Sequence, residues 1–105
     1  MICEGDYNST WGNTWIEQHD KAGKEACKPV VLEEYGSPNS PHAAITAPWQ
    51  QTVLKTNIAY DSFWQFGTGL SNGQSPSDQY SIYTGTIDYL LLVEQHAKDM
   101  LAKCP

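Results

Sequence analysis

Two adjacent carboxylates are the side chains best placed by type and position to do chemistry. Glu33 and Glu34 follow the apolar run at residues 30–32, where a predicted strand becomes a loop. A carboxylate at such a point can act as a nucleophile or as a general acid or base, although neighbouring glutamates are more often only solvated surface residues. Since side chains alternate along a strand, Glu34 is expected on the same face as Leu32 and Glu33 on the opposite face.

A tryptophan lies near the end of the next predicted strand. Trp64 belongs to the run FWQFG at residues 63–67, and the carboxyl ends of neighbouring parallel strands gather at one edge of a β/α barrel. The four Trp and six Tyr of the chain are explained most simply by core packing, but their faces also suit stacking on neutral sugar rings. A carboxylate beside an exposed indole would suit the cleavage of a sugar.

Helical periodicity predicts the first element that positions these residues. A helix is expected over residues 11–26, with Thr10 as its N-cap. Its buried stripe is predicted at Trp11, Trp15, His19, Ala22 and Ala26.

The rest of the chain alternates strands with helices. The strand that ends at the glutamates is followed by a helix with Thr46 as N-cap and Pro48 in its first turn, ending near Asn57. Its inward residues are expected to be Trp49, Val53 and Leu54. The remaining elements are predicted as a strand over residues 59–67, a long polar loop over 68–80 and a third helix over 87–102.

This order predicts an α/β fold. Strands alternating with helices imply a parallel sheet with right-handed crossovers. Two parallel strands cannot bury both faces of a sheet, so residues 1–105 are expected to be an incomplete part of a larger β/α architecture.

Composition limits the partners. The net charge of −6 arises from scattered carboxylates, which argues against nucleic acid or an anionic membrane and favours a neutral ligand. No run approaches the ~20 apolar residues of a membrane span. Residues 1–6 have neither the basic flank nor the apolar core of a secretory signal, so the chain is expected either to be intracellular or to lack its true beginning.

No metal or cofactor site is predicted. The chain has three cysteines, which share no metal-ligand spacing and allow at most one disulfide: Cys3, Cys27 and Cys104. Its three histidines are far apart and are expected to be satisfied or exposed rather than ligands: His19, His42 and His96. An N-glycosylation pattern at Asn8 would matter only in a secreted protein.

Three ordered motifs carry a family resemblance. KPVVLEEYG at residues 28–36, APWQ at 47–50 and FWQFG at 63–67 resemble glycoside hydrolase family 5, specifically the fungal endo-β-1,4-mannanases. WGNTWI at residues 11–16 and DQY at 78–80 extend the resemblance from residue 11 to the end of the chain. It implies that the chain is the C-terminal part, about the last two βα units, of an eight-stranded β/α TIM barrel.

The resemblance also implies roles for individual residues. Glu34, directly before the aromatic-glycine pair, would be the catalytic nucleophile, and Trp64 would be the platform under the sugar at the cleavage site. Apart from the resemblance, Tyr35 is predicted to bind substrate beside Glu34, and Asp78 and Tyr80 in the long loop are candidates to line a subsite, although a solvated loop is an equal alternative. The family's acid/base glutamate lies in an Asn-Glu pair upstream of this chain, and no cofactor or metal is implied.

The implied enzyme is a secreted retaining hydrolase of mannan, galactomannan or glucomannan. This chain alone is expected to be inactive, because the second carboxyl group of a retaining mechanism is absent, and to self-associate if it is produced by itself. Two departures from the family pattern are Cys27, in place of a small residue such as Gly, and Phe66, in place of Trp or Tyr. Two alternatives stay open, namely a noncatalytic carbohydrate-binding or interaction remnant of such a barrel and a fragment of a related cellulase or β-glucanase.

Overall fold

The computed structural model describes residues 9–103, and the predictions on Cys3, Cys104 and Asn8 fall outside this range. The three main helical regions are α1 (Ser9–Ala26), α2 (His42–Lys55) and a last region made of α3 (Ile87–Tyr89), a π-helical segment (Leu90–Gln95) and α4 (His96–Ala102). The strands are β1 (Val31–Tyr35), β2 (Tyr60–Phe63), β3 (Phe66–Gly67), β4 (Gly69–Leu70), β5 (Gly73–Gln74) and β6 (Ile82–Tyr83). The main helices and strands therefore follow the predicted order, but the strand predicted over residues 59–67 is divided into β2 and β3, the predicted loop contains a short hairpin, and β6 was not predicted.

The parallel pair β1 and β2 is the centre of the fold. Val31 lies opposite Tyr60, and Tyr35 lies opposite Phe63, with a register shift between Leu32 and Tyr35. Strand β3 pairs in parallel with β6, while β4 and β5 form the antiparallel hairpin. Within residues 9–103, β1 and β2 each have only the other as a partner, so each has an open outer edge.

The core lies between this pair of strands and the helices. Trp49 and Val53 of α2 are buried as predicted, at 1% and 0% exposure. They pack in one cluster with the other buried apolar side chains, which are Ile16, Leu32, Tyr35 and Ile58. The helices therefore cover one face of the strands, as in a β/α unit.

The predicted buried stripe of α1 is largely wrong, because Trp15 is its one member that packs against the core, and it does so only in part. Trp11 and His19 are exposed, and the residues of α1 that are buried are Gly12, Ile16, Asp20 and Gly23. The reason is close packing, because a Cβ at Gly12 would lie 2.0 Å from Trp49 Nε1. The apolar periodicity of the sequence does not reveal a face on which glycines admit a large neighbour.

The predicted start of α2 is also wrong. The helix begins at His42, and Pro48 lies inside it. The amide N–H groups of His42 and Ala43 donate to the carboxylate of Asp88 at 3.1 and 3.4 Å. A side chain from the last helical region therefore caps α2, in place of Thr46. Thr10 likewise lies within α1 rather than before it.

None of the helices in residues 9–103 has the length and apolar character that crossing a membrane requires.

Candidate functional site

The carboxyl ends of β1 and β2 are bonded to each other beside the glutamates. The amide N–H of Trp64 donates to the carbonyl oxygen of Tyr35 at 2.8 Å, and Glu34 directly precedes Tyr35. Gly36 makes this approach feasible, because a Cβ there would lie 2.5 Å from the Trp64 carbonyl oxygen. Glu34 and Trp64 therefore lie at the carboxyl-terminal end of the strand pair, as their positions in the sequence predict.

The strict alternation predicted for the two glutamates does not hold. Leu32 and Tyr35 are three residues apart, yet both are buried, and the register shift lies between them. Both glutamates are exposed. A bulge of this kind adds a residue to one strand and redirects the neighbouring side chains, and bulges are common next to active sites.

A shallow depression lies along the open edge of β1. It measures about 310 Å³ and is lined by Trp15, Val31, Leu32, Glu33 and Glu34. The indole ring of Trp15 stacks on the imidazole ring of His19, with ring centroids 3.7 Å apart. Carboxylates and an aromatic ring thus share a surface that no other strand covers within the described residues.

Trp64 presents a partly open ring with a fixed edge. Its side chain is 45% exposed, and its Nε1–H donates to Asp78 Oδ2 at 2.7 Å. The other oxygen of Asp78 accepts from the amide N–H of Tyr80 at 2.9 Å. Burial acts to raise the pKa of Asp78, but hydrogen bonds from Trp64, Gln65 and Tyr80 together hold that pKa below its usual value.

Tyr35 lies on the opposite side, in the core. It is 1% exposed, and its hydroxyl donates to Asp61 Oδ2 at 2.6 Å while accepting from Gln50 Nε2 at 2.8 Å. Burial, with the charge and hydrogen bond of Asp61, raises the pKa of Tyr35 well above its usual value. This burial counts against the substrate contact predicted for Tyr35 and favours a role in supporting the backbone beside Glu34.

Sequence reasoning missed the rest of this buried polar network. His96 Nε2 donates to Asp61 Oδ2 at 2.8 Å, and Gln50 Nε2 also donates to the carbonyl oxygen of Leu92 at 2.8 Å. One signal was available, because His96 follows Leu92 by four residues and so lies on the same buried face of the last helical region. The network joins β1, β2, α2 and the last helix behind the site.

No cation site accompanies these groups. Among residues 9–103, no group of three or more His, Cys, Asp or Glu side chains could hold a metal ion.

Comparison with known proteins identifies close relatives. No protein-family model matches the chain. The chain is 49% identical over 90 residues to "Probable mannan endo-1,4-beta-mannosidase A-1" of Aspergillus terreus, an alignment that covers 85% of this chain and 23% of that protein. It is 42% identical over 96 residues to "Probable mannan endo-1,4-beta-mannosidase F" of Aspergillus flavus, covering 91% of this chain and 20% of that protein.

A solved structure shows the same likeness. The endo-β-1,4-mannanase from Thermotoga petrophila superposes with a TM-score of 0.77 at 34% identity, over 88% of this chain and 22% of that one. The chain therefore spans about a fifth to a quarter of the length of the relatives it matches. The resemblance to endo-β-1,4-mannanases is confirmed, and it extends over most of the chain.

Proposed function

We propose that the chain is the C-terminal part of a family 5 retaining glycoside hydrolase that cleaves β-1,4-mannosidic linkages, with Glu34 as its nucleophile. The observation that carries the proposal is the bond from the Trp64 amide N–H to the Tyr35 carbonyl oxygen at 2.8 Å. It holds an exposed carboxylate and a partly exposed indole at one strand edge. Relatives named as mannan endo-1,4-β-mannosidases, at 41% to 49% identity, supply the substrate class.

The chemistry assigns one half of a two-carboxylate mechanism to this chain. The Glu34 carboxylate attacks the anomeric carbon and forms a glycosyl ester, while a second carboxyl group about 5 Å away protonates the leaving oxygen. That second group belongs to the part of the barrel that precedes this chain. Trp64 is the platform on which the sugar ring stacks at the cleavage site.

The open surfaces of the chain fit this incomplete state. Val31 and Tyr60, which lie opposite each other in the two strands, are 50% and 56% exposed. A groove of about 560 Å³ beside β2 includes Phe63, Leu92 and Leu101 in its lining. In a closed barrel, neighbouring strands and their helices would cover both edges.

The complete protein is proposed to act outside the cell on mannan, galactomannan or glucomannan. One observation supports a second candidate, which is noncatalytic carbohydrate binding by a remnant of such a barrel. The 45% exposed indole of Trp64 would suffice for weak sugar stacking without any catalytic carboxylate.

A chimera tests the proposal. In this chimera, the present chain replaces the matching 23% of the Aspergillus terreus protein, so that the relative supplies the rest of the barrel. We expect the chimera to release reducing sugar from galactomannan and Glu34→Gln to abolish that release. A chimera that melts cooperatively, binds galactomannan and releases no sugar would contradict the enzyme and support the binding remnant.

A further inference from the structure

We infer that Asp78 is a positioning residue that fixes the orientation of the Trp64 indole beside Glu34. The inference rests on the proposed role of Trp64 as the sugar platform. It concerns a side chain that sequence analysis assigned to direct substrate binding, and it gives the long polar loop a specific task.

The contacts of Asp78 suit such a role. Its Oδ2 accepts from Trp64 Nε1–H at 2.7 Å, and its Oδ1 accepts from the amide N–H of Tyr80 at 2.9 Å. The hydroxyl of Ser81 adds a longer contact to Oδ1 at 3.5 Å. Both oxygens are therefore engaged by this chain, and all of these donors are uncharged.

The loop that carries Asp78 is anchored just after it. Gln79 adopts a left-handed conformation, with φ of 76°, and its carbonyl oxygen accepts from His42 Nε2 at 2.8 Å. The amide N–H of Ile82 donates to the carbonyl oxygen of Gln65 at 2.8 Å. Since Gln65 follows Trp64 directly, the loop and the platform are held to the same stretch of backbone.

The physical need for such a residue comes from the exposure of the indole. A ring that is 45% exposed is fixed less by packing than a core ring, and a sugar stacked on it turns with it. A charge-assisted hydrogen bond to the ring edge removes that freedom at low cost, since the carboxylate is already held by the loop backbone. Correct alignment of the sugar with Glu34 is worth a large factor in rate.

The indole resonance of Trp64 in the chimera, assigned with Trp64→Phe, tests the contact itself. The hydrogen bonds to Asp78 hold its pKa below the usual value of an aspartate, so the carboxylate is an ionised acceptor at neutral pH and becomes a weaker acceptor when acid protonates it. We expect the Trp64 Nε1–H resonance to shift in the acid range, with a midpoint below the usual pKa of an aspartate, and Asp78→Asn to remove the shift.

Trp49 provides an internal control in the same spectrum. Its Nε1–H donates to the carbonyl oxygen of Ser9 at 3.1 Å, an acceptor that does not titrate. Its resonance should remain in place while that of Trp64 moves. Three results would overturn the inference. The Trp64 resonance could be insensitive to pH, it could move only together with that of Trp49, or it could still titrate in Asp78→Asn.

Kinetics in the chimera separate positioning from a merely structural role. We expect Asp78→Ala to lower kcat about 10-fold to 100-fold through misalignment, with a smaller change in KM and an unchanged melting temperature. Asp78→Asn retains an acceptor for the indole and should recover most of kcat. An unchanged kcat in Asp78→Ala would also overturn the inference. A chimera that is inactive without any substitution would instead contradict the proposed function. The indole measurement would then decide the role of Asp78.

Discussion

Glu33 and Glu34 lie where β1 departs from regular pairing, between the buried side chains of Leu32 and Tyr35. The bulge leaves both carboxylates exposed at the end of β1, where the backbone N–H of Trp64 donates to the carbonyl oxygen of Tyr35. Behind them, the hydroxyl of Tyr35 is fixed by a buried polar network, so the backbone that carries Glu34 has support from the core. A nucleophile needs this combination of an open side chain and a fixed backbone.

Substitution of each glutamate in the chimera distinguishes their roles. We expect Glu34→Ala to lower kcat about 10⁴-fold or more, because it removes the group proposed to form the covalent intermediate. Glu33→Ala is the matched control and should stay within about tenfold of the parent. Steady-state hydrolysis of galactomannan measures both, and a greater loss for Glu33→Ala would reverse the assignment.

Part of this site follows from sequence, and part depends on three-dimensional context. Glu34 and Trp64 were predicted to meet because the ends of neighbouring parallel strands share an edge. The faces of the glutamates were not predictable from alternation, since a bulge adds one residue to the count. The contact of Asp61 with His96 joins residues 35 positions apart, and local patterns carry no direct signal for it.

The helices show which features of an element are local. Trp49 and Val53 were placed correctly, because both lie on one apolar face of α2 and that face is buried. The buried face of α1 was missed, since it depends on the fit of Gly12 against Trp49. The start of α2 was missed because its cap comes from Asp88, far along the chain.

The residue that ends α1, Cys27, has a strained backbone conformation. Cys27 has φ of 53°, and the amide N–H of Lys28 donates to the carbonyl oxygen of Gly23 at 2.9 Å, a helix end at which glycine is preferred. We expect Cys27→Gly to stabilise the fold by about 1 kcal/mol, because a left-handed conformation costs a residue with a Cβ about that much.

Thermal melting of the chimera measures this effect. In a protein as long as the chimera, that free energy corresponds to a rise in Tm of about 2 °C or less. Cys27→Ala is the control, since it removes the exposed thiol but retains the Cβ, and it should leave Tm nearly unchanged. Equal effects of the two substitutions would show that the thiol, not the backbone, is responsible.

At the scale of the whole molecule, the chain exposes apolar surfaces that a complete barrel would bury. Leu101 is 82% exposed beside the groove along β2, and Val31 of the neighbouring strand β1 is 50% exposed. Exposed strand edges and apolar patches favour association with other chains. In the proposed barrel, neighbouring strands and helices would cover these surfaces.

The chain produced alone is expected to self-associate. Sedimentation velocity should show concentration-dependent species larger than the monomer. Val31→Lys, which places a charge on the open edge of β1, should reduce this association, while the same change at exposed Glu25 of α1 serves as control. A monodisperse monomer with a sharp cooperative melting transition would refute the expectation.

The chain alone is also expected not to hydrolyse mannan. Without a positioned proton donor, the departing sugar oxygen lacks general acid assistance, which typically contributes about 100-fold to 10,000-fold. Highly purified chain should release no reducing sugar from galactomannan above the level of Glu34→Ala. Hydrolysis that disappears in that variant would mean that another carboxylate of this chain acts as the acid.

Covalent trapping tests the central claim most directly. The active chimera is incubated with a slow, activated fluoro-mannoside, which accumulates as an ester on the nucleophile of a retaining enzyme, and the labelled peptide is identified by mass spectrometry. We predict a single label on Glu34 that is absent in Glu34→Gln. A label on Glu33 or on a residue outside this chain would contradict the assignment of Glu34 as the nucleophile.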